Sequence, residues 1–308
     1  MRFAIIDLGT NTFNLLIAEK SGESWQHVFN TKIPVKLGEG GMNDSKITDA
    51  AFQRGIDAME NLRETMRNWS VEKHHAFATS AIRSSSNGLE FVEAVREKTG
   101  ISVEVIDGDR EAELIHKGVV QTNWLSEKVD LILDIGGGSS ELILATQDEV
   151  LWKKSFDLGV SRLIERLNPS NPVSKEDIQN LESTLTEELT PLFEAVKKVE
   201  IHSLIGCSGS FDSVVEMIAA RDNQKAEVNV MSEHHEIENE DFEWLYQTLL
   251  PTTIEERLHF PGLVEMRAEM IVFSLIIIRF LLNDLEIKNI RHSAYALKEG
   301  ALFDLMNE

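Results

Sequence analysis

The chain has 308 residues and carries Lys+Arg 30 against Asp+Glu 52, a formal net charge of −22. Hydrophobic residues make up 42%, which is ordinary for a globular protein and excludes a disordered chain, a collagen-like repeat and a membrane protein. The acidity argues against binding a nucleic acid duplex, and one cysteine, Cys207, excludes a disulfide scaffold or multi-cysteine zinc site and fits a reducing, cytoplasmic setting.

Length suggests two domains. The chain opens with a strand over Phe3–Asp7, and its apolar run is cut so soon by Asp7 and Gly9 that no signal peptide is expected. Gly9-Thr10-Asn11-Thr12 has the composition of a tight hairpin turn, and Phe13–Glu19 returns as a second strand. A third strand is predicted over Gln26–Thr31. Asp49–Trp69 has helical spacing, with Phe52, Ile56, Met59, Leu62 and Met66 on one face. A β run over His75–Thr79 leads into Ser80-Ala81-Ile82-Arg83. A helix over Gly88–Thr99 is closed by Gly100. A strand follows at Val103–Ile106, then a turn at Asp107-Gly108-Asp109 and a helix over Arg110–Val120.

The opening pattern then returns: a strand over Leu131–Asp134, a turn at Gly136-Gly137-Gly138-Ser139, and strands over Glu141–Ala145 and Glu149–Phe156. Helices are predicted over Gly159–Leu167 and Lys175–Val199. A strand over Ser203–Ile205 enters the loop Gly206-Cys207-Ser208-Gly209-Ser210, and a helix runs on through Ile218. Residues 221–240 read as a loop or short helix edge. Asn239–Leu250 and Ile271–Leu282 read as helices, Asn289–Ser293 as a strand and Leu297–Met306 as a closing helix. Ile271–Leu282 contains Ser274 and Arg279 and is well short of a membrane span. It is greasy enough for a core or for the seam of a homodimer. Strands and helices in this order indicate α/β layers.

The self-similarity is the most informative feature. Residues 4–18 and 131–145 align without a gap, from Asp7 onto Asp134, at an offset of 127 residues. Glycine falls on glycine, Thr12 on Ser139, and the apolar strands coincide. Such a spacing suits two similar domains, each opening with the same hairpin. Small turn residues let a phosphate approach backbone N–H groups closely. Thr10, Asn11, Thr12, Ser139 and Ser140, with the glycines 136, 137 and 138, form two candidate phosphate cradles. Asp7 and Asp134 end strands where a hard cation such as Mg²⁺ prefers oxygen ligands. Ser208, Gly209 and Ser210 lie between a strand and a helix, where anions bind. A cation-lined or metal-loaded cleft overcomes the global charge, because screening confines most charge effects to roughly 10 Å.

The motifs Ile6-Asp7-Leu8-Gly9-Thr10-Asn11-Thr12, Ala78-Thr79-Ser80-Ala81-Ile82-Arg83, Gly108-Asp109-Arg110-Glu111-Ala112, Asp134-Ile135-Gly136-Gly137-Gly138-Ser139-Ser140-Glu141 and Gly206-Cys207-Ser208-Gly209-Ser210 occur in this order. Arg267-Ala268-Glu269 and Leu297-Lys298-Glu299-Gly300-Ala301-Leu302 follow. On these residues the chain resembles the exopolyphosphatase / guanosine pentaphosphate phosphohydrolase family of the actin–hexokinase–sugar-kinase superfamily. The resemblance implies an α/β fold of two actin-like (ribonuclease H-like) domains with a cleft between them, in the short, two-domain form. Residues 1–122, completed by the helix 297–308, would form one domain and 123–296 the other. It also implies Mg²⁺-dependent hydrolysis of terminal phosphoanhydride bonds in polyphosphate or a guanosine polyphosphate.

Such hydrolysis needs neutralised phosphate oxygens, an aligned water and a proton acceptor. Glu111, in the first turn of a helix, is the candidate base, and it falls on the position of the family's catalytic glutamate. Asp134 and Glu141, joined by a hairpin, are candidates for handling Mg²⁺ and positioning water, with Asp7 the matching acid of the first repeat. Asn14 stands where the second copy has Glu141, so the second hairpin is expected to be the metal-rich one. Arg83, expected at a strand edge, is the candidate phosphate clamp. His74-His75 and His234-His235 are adjacent pairs whose members face different ways, so neither chelates by itself. A sugar-type kinase and a non-catalytic sensor of a phosphorylated signal are the alternative readings.

Overall fold

A computed structural model describes residues 1–22, 24–223 and 234–307. The first half contains β1 (Arg2–Leu8), β2 (Thr12–Ser21), β3 (Ser24–Pro34), α1 (Asp49–Asn68), β4 (Lys73–Ala78), α2 (Ser80–Arg83), α3 (Gly88–Thr99), β5 (Val103–Val105) and α4 (Gly108–Val120). Its sheet has the order β3-β2-β1-β4-β5, with the β1–β2–β3 meander antiparallel and β4 and β5 added in parallel.

The second half repeats this plan. It contains β6 (Val129–Ile135), β7 (Ser140–Ala145), β8 (Val150–Phe156), α5 (Val160–Leu167), α6 (Lys175–Glu188), α7 (Thr190–Val196), β9 (Ile201–Cys207), α8 (Ser208–Asn223), β10 (His234–Ile237), α9 (Asn239–Leu249), α10 (Ile254–Arg257), α11 (Ile271–Asp284), β11 (Ile290–Ser293) and α12 (Leu297–Asn307). Its sheet runs β8-β7-β6-β9-β11, the same order and directions as the first, with β10 added antiparallel at the edge.

Period-2 alternation divides the strand side chains between two faces. Ala4, Ile6 and Leu8 of β1 pack with α1 and α3, while Phe3 and Ile5 face α4 and α12. Leu131, Leu133 and Ile135 of β6 pack with α8, α9 and α11, while Ile132 joins the α4–α12 layer. Both faces are therefore covered, which is why these strands read as nearly continuous apolar runs. The helices α4 and α12 share one core between the two sheets: α4 comes from the first half yet packs on β7 and β8, and α12 packs on β1 and β2. Gly118 and Gly300 are where the two helices and their neighbours come closest, since a Cβ on Gly300 would lie 1.9 Å from the Leu114 carbonyl oxygen.

Several boundaries differ from the sequence reading. The helix expected over 175–199 is two helices, because Pro191 lacks an N–H and serves the start of α7 instead. Asp107 is the N-cap of α4, its carboxylate accepting from the Arg110 N–H at 2.8 Å, so the helix begins within the expected turn. Residues 206–210 form no separate loop: β9 runs through Cys207 and α8 begins at Ser208, whose φ of 63° makes the turn. Arg83 lies on the helical turn α2 rather than at a strand edge. Residues 234–237 of the expected 221–240 loop form β10, and 224–233 lie outside the described residues. The apolar helix α11 is buried on all sides by its own chain, so its greasiness serves the core.

Candidate active site

The two hairpin turns meet. In each, the first turn glycine donates its N–H to the carbonyl three residues on: Gly9 to Thr12 at 3.0 Å and Gly136 to Ser139 at 3.0 Å. The turns lie so close that a Cβ on Gly138 would sit 2.7 Å from both Thr10 Oγ1 and Ser80 Oγ, and one on Gly137 2.4 Å from Asn11 Nδ2. Glycine is needed here for close approach rather than for an unusual φ.

Between the turns is a cavity of about 130 Å³. Strand register places its acids. Asp7 on β1 is directly opposite Asn14 on β2, and Asp134 on β6 is directly opposite Glu141 on β7. Each acid is anchored by a donor: Asn14 Nδ2 to Asp7 (2.9 Å), Ser208 Oγ to Asp134 (2.7 Å) and Ser155 Oγ to Glu141 (2.7 Å). Glu111 enters from the first turn of α4 and is buried. Arg83 Nη1 donates to its Oε2 at 2.8 Å and to the Ile106 carbonyl at 3.0 Å.

This concentration of buried acid is costly in the ionised state. Burial pushes Asp7 up to about 6, against the pull of the Asn14 hydrogen bond and of Lys298. Burial raises Glu111 to about 7, with Arg83 opposing and Asp134 and Asp7 adding to the rise. Asp134 is raised to about 7 by burial and by Asp7, despite Ser208. Burial, then the charges of Glu111 and Asp134, hold Glu141 well above the carboxylate range. Asp212 goes the other way: burial opposes it, but the His292 hydrogen bond and Lys32 hold it well below that range.

Asp7, Thr10, Asn11, Thr12, Glu111, Asp134, Gly136, Gly137, Gly138, Ser139, Glu141, Ser208 and Gly209 all line the cavity. Three expected residues do not. Ser140 neighbours Glu141 on a strand and faces the other way, its hydroxyl donating to the Leu158 carbonyl at 3.0 Å. Ser210 lies two residues into α8 and bonds Ile135 O and Ser274 Oγ. Arg83 is absent from the lining, its Nη1 shared between Glu111 and the Ile106 carbonyl. Asn11 reaches the cavity, but its amide donates across the cleft to Ser161 Oγ at 2.8 Å. Glu113 is exposed on the far side of α4 and pairs with Lys153, as the helical angle requires.

Lys32, Asp212 and, as a donor, Asn14 also line the cavity, and the sequence pattern gives no sign of them as site residues. Ser80, whose buried Oγ has no hydrogen-bond partner, Arg267 and Lys298 line it as well, each within a motif but with no role evident from the sequence. Lys298 sits at the start of α12, paired with Glu299 at 3.0 Å and held above the usual lysine range, against burial, by Glu299. Among the described residues no group of three or more His, Cys, Asp and Glu side chains lies close enough to hold a metal by itself. The donor set still suits Mg²⁺, which takes hard oxygens from one or two carboxylates and completes its shell with water and substrate phosphate.

A model of the Ppx/GppA phosphatase family matches residues 16–308. The chain is similar to an exopolyphosphatase from Cytophaga hutchinsonii ATCC 33406, with a TM-score of 0.96 and 36% identity over 100% of this chain and 98% of that one. It also shares its fold with a Ppx/GppA family member from Aquifex aeolicus, with a TM-score of 0.80 and 23% identity over 100% and 98% of the two chains. The repeated β3-β2-β1-β4-β5 plan is therefore a pair of actin-like domains closing on a cleft, and the chain belongs to the Ppx/GppA phosphatase family.

Proposed function

We propose that the protein releases the terminal phosphoryl group of a linear phosphoanhydride, inorganic polyphosphate or guanosine pentaphosphate, by attack of water. The observation that carries this reading is the placement of Glu111: a buried carboxylate, oriented by Arg83 at 2.8 Å, facing a small cavity walled by two phosphate-sized turns. The exopolyphosphatase character of the Cytophaga protein supports the substrate class.

Water bound beside Glu111 is aligned with the terminal phosphorus. Its oxygen forms the new P–O bond as the bridging P–O bond breaks. The water's proton passes to the Glu111 carboxylate, and the shortened chain leaves with the bridging oxygen. A carboxylate raised to about 7 is matched to accepting a proton near neutrality. The turns around Thr10 and Gly138 bring backbone N–H groups and hydroxyls to the phosphoryl oxygens. One or two of the carboxylates of Asp134, Glu141 and Asp7, with water and substrate phosphate, would hold Mg²⁺, whose charge would neutralise the phosphoryl oxygens. Arg83 acts through Glu111, as a positioning residue rather than as a direct clamp.

Phosphate release should be measured from polyphosphate, guanosine pentaphosphate and ATP, with wild type and Glu111→Gln. The variant is expected to lose about 10²–10⁴-fold in kcat while binding persists. Wild-type turnover in Glu111→Gln would remove the base. Undiminished rates in excess chelator would remove Mg²⁺.

A further inference from the structure

The pseudo-repeat is broken in a way that strand register makes visible. Across the first sheet, Asp7 is opposite Asn14, and Asn14 is opposite Lys32. Across the second, Asp134 is opposite Glu141, and Glu141 is opposite Ser155. Directly opposed residues project from the same face of a sheet. One lobe therefore presents acid, amide and ammonium to the cleft, and the other presents acid, acid and hydroxyl. The linear alignment hides this, because β3 and β8 do not keep the 127-residue offset.

Lys32 spans the cleft. Its Nζ lies 2.9 Å from Asp212 Oδ2 on α8, while Asp212 Oδ1 is 3.1 Å from His292 Nε2 on β11. Lys32, Gly209, Asp212 and Arg267 line both the catalytic cavity of about 130 Å³ and an adjoining chamber of about 860 Å³. Lys32 thus stands on the threshold between the two. The Arg267 guanidinium packs directly on Gly209, where a Cβ would lie 1.7 Å from Arg267 Nη2.

We infer that Lys32 is a positioning residue for the phosphoryl group next to the terminal one, and that Asp212 competes with that group for its ammonium. The inference rests on the phosphohydrolase reading above. A substrate whose terminal phosphoryl fills the small cavity would run its remainder past Lys32 into the larger of the adjoining cavities. An ammonium carries three N–H donors, so it turns to a phosphate oxygen without leaving the cleft. Asp212 keeps its bond to His292 when the lysine turns. Asp212 also repels the incoming polyanion, so removing its charge relieves both effects.

The test is calorimetric, in full-length Glu111→Gln protein, with inorganic tripolyphosphate and orthophosphate as probes. Lys32→Met should raise the tripolyphosphate Kd about 10–100-fold, the value of one charge-assisted hydrogen bond, and the orthophosphate Kd less than about twofold. Asp212→Asn should lower the tripolyphosphate Kd about threefold or more. The combined Lys32→Met, Asp212→Asn protein has the net charge of its Glu111→Gln parent, and its tripolyphosphate Kd should stay raised. A tripolyphosphate Kd within twofold in Lys32→Met overturns the inference. So does full recovery in the combined variant, which would mean that only net charge matters, or parallel weakening in both single variants, which would mean a purely structural bridge. If the parent binds neither probe and wild type releases no phosphate, the phosphohydrolase reading falls, and the inference with it.

Discussion

Arg83 on α2 and Glu111 on α4 form a partly buried ion pair at 2.8 Å, and of the two only Glu111 lines the cavity. The guanidinium's effect on Glu111 is to oppose burial, which otherwise raises the carboxyl further above about 7. Arg83→Met should therefore move the acid limb of the kcat/KM profile to higher pH, because the base must be ionised to accept a proton. At pH 7 the loss should be about 10²-fold, with KM changed little. A phosphate clamp would show the opposite split, with KM raised and the acid limb in place. A pH–rate profile of the variant decides between them.

The cavity acids also set how stability depends on pH. Glu111 rises from 4.5 to about 7, Asp134 from 3.8 to about 7 and Asp7 from 3.8 to about 6, burial being the largest cause in each. The folded state thus holds protons that the unfolded state releases. Their contribution is present in full below about pH 4 and is lost as pH rises through 6–7. Glu141, also held well above the carboxylate range by burial, adds to the same trend. Glu141→Gln should lift Tm by ~2–4 °C at pH 8 and by less at pH 5.5. Equal shifts at both pH values, followed by differential scanning calorimetry, would contradict the electrostatic account.

How much of this could be read from the chain depended on whether the signal was local. Asp7, Asp134, the glycine turns and Glu141 were legible because they lie within two short stretches repeated in register. Glu111 was legible from its place in a helix's first turn together with a motif. Lys32, Asp212 and Lys298 were not, because they come from β3, α8 and α12 and meet only through strand register and helix packing. Ser140 and Ser210 lie off the cavity for a related reason. A motif treats neighbours as equals, whereas a strand or helix sends adjacent residues to different faces. Arg83 is expected from its motif to face phosphate, and nothing along the sequence shows that its guanidinium pairs with Glu111. The pairing of α4 with the second sheet and α12 with the first was equally invisible as a local pattern.

The close contact of the two turns makes a steric prediction. In Gly138→Ala the added methyl meets Thr10 Oγ1 and Ser80 Oγ, each at 2.7 Å. Real Cβ contacts do not come so close, so the two hydroxyls, and the turns with them, are expected to shift. Misplacement by about 1 Å costs on the order of 10²-fold in rate. The rest of the sheet is untouched, so the circular dichroism spectrum should match wild type. Wild-type kcat/KM in Gly138→Ala would show that turn separation is not critical.

The hydrogen bond from Asn11 Nδ2 to Ser161 Oγ at 2.8 Å joins the first turn to α5 on the other lobe, with Met270 Sδ also 3.0 Å from the amide. Asn43 adds a second tie, its backbone N–H donating to Glu165 at 2.9 Å. Neither bond is deeply buried, so each is worth only about 1 kcal/mol, and with the Lys32–Asp212 pair they tie the two lobes together. Asn11→Ala should lower stability by about that amount and loosen the lobes. Small-angle scattering of the free variant should then give a larger radius of gyration than wild type, and a slowly hydrolysed phosphoanhydride analogue should restore the wild-type value. The restored value is the informative one. A ligand that bridges both turns supplies the missing connection, whereas a ligand held by one lobe leaves the variant expanded, and that second result would rule out a substrate gripped from both sides.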